Sequence, residues 1–172
     1  MRYSVPLAIA ATCLTLSGVR AAQRCPEQPV FDVEALKSEM MVLATACHDD
    51  AQYNAFIERY QPSLMATEHA LDSYFRREYG RSGQTEHDRY ITSLANAQAD
   101  DGLKQGTDFC PRNATLFDEA MALESSTELP QFAAGQDLVP ASLGSCQAPV
   151  EAPARKHVIR RVAERRRTTA SH

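Results

Sequence analysis

The sequence predicts an all-α protein: a small four-helix bundle stapled by disulfides, with a weakly ordered Pro/Gly/Ala-rich and basic C-terminal tail. Three observations carry this. Apolar residues recur at three- and four-residue spacing from Leu36 to Met121, the period of one helix face. No alternating apolar/polar run of useful length suggests a strand. Four cysteines follow an apolar leader, an even count in a chain that reads as exported.

Residues 1–22 read as a signal peptide. Arg2 supplies the basic start, "VPLAIAATCLTLSGV" the apolar stretch, and "VRAA" the small residues for cleavage after Ala21 or Ala22. The apolar run is too short to span a bilayer, and no later run is longer. The expectation is a periplasmic or secreted protein without a transmembrane segment. About 150 residues remain, enough for one core.

A polar arm over 23–30 precedes a helical domain over 31–124. Asp32 is placed to cap a first helix that runs to Cys47, with Leu36, Met40, Leu43 and Cys47 on one face. "HDD" breaks the chain, and Asp49 or Asp50 caps a second helix. Tyr53, Phe56, Ile57, Tyr60, Leu64, Leu71, Tyr74 and Phe75 keep its period as far as Tyr79. Pro62 should kink or split that long rod, and Gly80 and Gly83 should end it. "TEHD" at Thr85–Asp88 resembles a capping box opening a third helix through Ile91, Leu94, Ala95 and Gln98 to about Gly102. A last helix carries Cys110, Ala114, Phe117 and Met121. Residues 125–154 are rich in Pro, Gly, Ser, Ala and Gln and read as an extended segment, and residues 155–172 form a basic tail.

Four cysteines allow three connectivities. Joining Cys47 to Cys110 would staple the ends of the bundle and close a loop of ~63 residues, which stabilises by about 4 kcal/mol in the chain-entropy picture. Cys25 and Cys146 would then join the two arms. A redox thiol is the competing reading. His48 adjoins Cys47, but neighbouring helix positions point about 100° apart, so adjacency is not contact.

Candidate chemistry is sparse. No GxSxG, SxxK, HExxH, CxxC or CxxCH motif occurs. Histidine and acidic residues gather at His48–Asp50, at His69 with Asp72, and at Glu86–Asp88, mostly where acidic groups would cap helices. None of this makes a di-iron Glu-x-x-His framework. No metal or cofactor is expected and no catalytic residue is assigned. Four of the six tyrosines lie on the second helix. Tyr53, Phe56, Tyr60 and His69 could line a small-ligand groove beside Pro62; the plainer reading places the aromatic stripe in the core.

Residues 23–154 carry 9 Lys/Arg against 21 Asp/Glu, while residues 155–172 carry 7 against 1. The tail contains Arg155, Lys156, Arg160, Arg161, Arg165, Arg166 and Arg167 around a narrow stripe of Val158, Ile159, Val162 and Ala163. Such a stretch can lie on an anionic envelope surface, bind a polyanion or fold back on an acidic body. An acidic exported body makes nucleic acid a poor partner.

"LKSEMMVLATAC", "YNAFIERYQP", "YITSLAN" and "DFC", in that order, resemble an uncharacterised family of small exported helical proteins of alphaproteobacteria over Leu36 to Met121. The resemblance implies a bacterial host, a periplasmic location and a Cys47–Cys110 link, and it brings no activity. The functional expectation is a non-enzymatic interaction or envelope-associated protein whose partner is an unknown protein or an anionic envelope surface. The alternatives are a small-ligand-binding protein or enzyme with a groove near Pro62, and an acid-stress chaperone.

Overall fold

The computed structural model describes residues 25–143, which are helical with short connections and contain no strand. Six α-helices follow in order: α1 (Gln28–Cys47), α2 (Asp50–Tyr79), α3 (Gly83–Gln105), α4 (Phe109–Asn113), α5 (Leu116–Met121) and α6 (Leu129–Gln136). The all-α class is as expected. The expected signal peptide over residues 1–22, Cys146 and all the basic tail residues lie outside the described residues.

Helix α1 is the axis of the bundle and packs against α2, α3 and α6. It starts four residues before the expected cap. Pro29 occupies its first turn, where the missing N–H costs nothing. Asp32 therefore lies inside the helix and accepts a hydrogen bond from Gln28 Nε2 at 2.7 Å. Phe31 to Leu36 are buried without a break, so polar and apolar side chains alike are enclosed on every face. His48 ends the helix in the left-handed region, with its N–H returning to the Ala44 carbonyl.

Pro62 does not divide α2, which runs unbroken from Asp50 to Tyr79. Pro62 is exposed while Tyr60 and Leu64 beside it are buried. Packing on the inner face holds the helix across the lost bond, and water can reach the outer one. Gly80, with φ of +56°, terminates α2.

Gly83 does not end α2; it opens α3, so Thr85 is no cap. A Cβ at Gly83 would stand 2.8 Å from the Arg76 Cα and 2.9 Å from the Phe75 carbonyl oxygen. The bare residue lets α3 turn back tightly along α2. His87, Tyr90, Leu94, Gln98 and Gly102 then form the buried stripe of α3.

The expected last helix is two short ones, broken at Ala114–Thr115. The expected extended segment contains α6. Pro130 fits its first turn, and Leu129 and Ala133, one turn apart, bury an apolar stripe against α1. The stripe is too short to stand out among Pro and Gly neighbours.

Two clusters make the interior. One joins Leu36, Met40 and Leu43 to Phe56, Tyr60, Phe109, Phe117 and Leu129. The other gathers Phe31, Leu71, Tyr74, Phe75, Tyr90 and Leu94. In the second, Phe31 meets the Tyr74 and Tyr90 rings edge-on at 5.0 and 5.2 Å, an arrangement the ring quadrupoles favour. The Cys47–Cys110 disulfide ties the end of α1 to α4, with Cα atoms 5.7 Å apart. The expected partner of Cys25 is Cys146, which is not among the described residues.

Candidate functional site

The structure disperses the residues expected to line a groove beside Pro62. Phe56 and Tyr60 are fully enclosed, at 0% exposure. The Tyr60 hydroxyl donates to the Ala120 carbonyl at 2.5 Å, so it reaches the backbone rather than a ligand. Tyr53 packs at the edge of the first cluster, and His69 lies on the exposed face of α2. A hollow does exist beside Ser63 and Thr67, but Val30, Val33, Leu129 and Pro130 complete it. None of the four expected residues lines it.

His69 and Asp72 do not form a pair. Asp72 Oδ1 instead lies 2.8 Å from His87 Nδ1, and Glu68 Oε1 lies 3.7 Å from His87 Nε2. Phe75 stacks on the His87 ring at 5.4 Å. Lys37 reaches Glu34 at 2.8 Å and Glu68 at 3.3 Å, so ionisable groups of α1, α2 and α3 form one connected chain. Burial pushes the Glu34 carboxyl above the usual range, partly offset by Lys37. Burial would lower the Lys37 pKa, but Glu34 and then Glu68 outweigh it and raise it.

Neither Ser38 nor Tyr90 becomes a nucleophile through this cluster. Both hydroxyls are buried without a hydrogen-bond partner among the described residues, and burial drives the Tyr90 pKa up. No group of three or more His, Cys, Asp or Glu among the described residues is arranged to hold a metal. The cluster crosslinks three helices, with His87 and Glu34 buried and Glu68 reaching solvent. Sequence reading missed it because Glu34 and Lys37 look like an ordinary surface pair on a helix, and His87 like part of a cap.

The open site lies elsewhere, between the C-terminal halves of α1 and α3. Met41, Val42, Thr45 and Ala46 form one wall, and Ala95, Asn96, Ala99 and Leu103 the other. Phe109 and Cys110 close the end, beside the disulfide. The space is about 540 Å³, within the range of a ligand cleft. It exists because Ala95, Ala99 and Gly102 offer no bulk where a neighbouring helix face would otherwise be filled. Gln98, on the adjoining buried stripe, donates to the Ala35 carbonyl at 2.9 Å and holds α3 to α1 beneath. Phe109 packs on bare Gly102, where a Cβ would come within 3.1 Å of the ring.

Two large apolar side chains stand out at this groove: Leu103 is 79% exposed and Met41 42%. The surrounding stretches are acidic. Glu39 lies one turn before Val42, Asp100 and Asp101 follow Ala99, and Asp108 precedes Phe109. Lys104 is the local cation on α3, and it is paired with Asp101 at 2.6 Å. Burial, with Asp101 adding repulsion, pushes the Glu39 carboxyl up to about 7. The small residues of "SLANAQADD" signal room for a neighbouring helix without saying whether it is filled.

Comparison of the chain with protein-family models, with curated proteins and with solved structures finds no match.

Proposed function

We propose that this chain is an exported, non-enzymatic interaction protein that binds a cationic amphipathic helix of a partner in the α1/α3 groove. The groove itself carries this reading: an apolar trough with exposed Met41 and Leu103 at its lips, in stretches that also carry the exposed Asp101 and Asp108. An amphipathic helix lays its apolar face into such a trough, and basic residues on its flanks suit the acidic residues of the neighbouring stretches.

Export is supported by the Cys47–Cys110 disulfide, which suits an oxidising compartment, and by the leader-like residues 1–22. No helix among the described residues is long and apolar enough to cross a membrane. A periplasmic setting accords with the resemblance to small exported alphaproteobacterial proteins. The acid-stress reading gains little support, since burial raises the Glu34 and Glu39 carboxyls, and protonation at these two groups opposes unfolding rather than driving it.

The test uses a fluorescein-labelled synthetic Leu/Arg amphipathic helix and anisotropy with the full chain. Ala99→Trp, which fills the trough, should weaken binding by about tenfold or more, the loss of a well-packed anchor. Binding that Ala99→Trp leaves untouched would show attraction to acidic surface alone and defeat the proposal.

A further inference from the structure

Resting on that reading of the groove, we infer that Met41 is an oxidative modification site: a peroxide converts its thioether to the sulfoxide and thereby closes the groove to an apolar helix face. The methionines of the described residues stand in different settings. Met40 is sealed in the first cluster at 0% exposure, and Met121 packs against that cluster partly buried. Met65 is 55% exposed on α2 and takes no part in the groove walls. Met41 alone among them is both open to solvent and part of a groove wall. One step of helical rotation, about 100°, separates it from Met40 and turns it from the core to the groove.

Few sulfur atoms compete for the oxidant. Cys25, Cys47 and Cys110 are all held in disulfides, so no thiolate among the described residues intercepts a peroxide first. The step is a two-electron oxidation. A lone pair of the Met41 sulfur attacks one peroxide oxygen, and the O–O bond breaks as the S–O bond forms. The proton on the transferred oxygen passes to the other oxygen, which leaves as water. A dithiol reductase reverses the change, becoming a disulfide while the sulfoxide oxygen departs as water. The product side chain is polar where the wall was apolar. Its oxygen stays hydrated while the groove is open, and it must give up that water when an apolar helix face seats against it.

The test uses the full chain, hydrogen peroxide and the fluorescein-labelled helix. Peptide mass spectrometry should find sulfoxide at Met41 and Met65 and none at Met40. The oxidised chain should bind the helix about tenfold more weakly, as burial of a polar group requires, and methionine sulfoxide reductase should restore the affinity. Met65→Leu should show the same loss on oxidation. In Met41→Leu, peroxide should leave the affinity where that variant started. Helix bound beforehand should slow oxidation of Met41 and not of Met65. Equal affinity before and after oxidation, with Ala99→Trp still weakening both, would overturn the inference and leave the groove reading intact. A loss on oxidation that persists in Met41→Leu would overturn it too. Failure of the helix to bind the unoxidised chain through the groove would remove the reading beneath the inference, and the inference with it.

Discussion

Tyr60 and the Ala120 carbonyl, sixty residues apart, meet in a buried hydrogen bond of 2.5 Å that ties α2 to α5. Arg59 reinforces the link by donating to the Leu123 carbonyl at 2.6 Å. Tyr60→Phe keeps the ring but takes the hydroxyl donor from the buried Ala120 carbonyl, leaving it the long 3.4 Å bond from the Leu123 N–H. The expected cost is about 1–2 kcal/mol of unfolding free energy, measured by denaturant titration, with groove binding unchanged. A neutral substitution would show that the hydroxyl is not needed there.

Gly83 predicts a second sensitivity. Alanine normally gains helix stability over glycine, by up to about 1 kcal/mol. Here the added Cβ meets Arg76 and Phe75 backbone atoms under 3.0 Å, and backbone cannot swing away. Gly83→Ala should therefore destabilise by about 1–3 kcal/mol, lowering the thermal midpoint by several degrees.

Glu39 sets a pH dependence. Its carboxyl stands at about 7 in the fold, against an ordinary 4.5. Between those values the folded chain holds the extra proton, so this group lowers stability as pH rises through the window, and its penalty is complete above 7. Allowing for solvent screening, the penalty is about 1–2 kcal/mol. Glu39→Gln should be the more stable protein at pH 8 by that amount, with the advantage vanishing near pH 4.5. A constant difference across pH would assign the effect to packing.

Reduction of Cys47–Cys110 opens a loop of 63 residues. The chain-entropy estimate is a loss of about 4 kcal/mol, read as the shift in urea midpoint for Cys47→Ala/Cys110→Ala. Because Phe109 and Cys110 close the groove, the synthetic helix should bind this variant more weakly while it remains folded.

Much of the bundle could be read in advance because its signals are local. Leu36, Met40 and Leu43 on α1, and Phe56, Tyr60, Leu64 and Leu71 on α2, all proved to be buried core. The aromatic stripe was interior, as the plainer reading held. What stayed hidden depends on neighbours distant in sequence. Glu34 and His87 carry no sign of burial in their own segments, because α1 is enclosed on all sides only once α2, α3 and α6 surround it. The start of α1 was misplaced because Asp32 is a good cap by type while Pro29 is a good first-turn residue by geometry. Helix α6 has too few apolar positions to show a period. The groove is a space defined by missing side chains on two helices, and no single segment announces it.

The most direct test of the central claim is to map backbone amide shifts as the full, isotopically labelled chain is titrated with the synthetic cationic helix. The account predicts that the largest changes fall on Met41, Thr45, Ala95, Ala99 and Leu103, with the buried His87 cluster quiet. Changes spread over the outer face of α2, with those five residues unmoved, would contradict it.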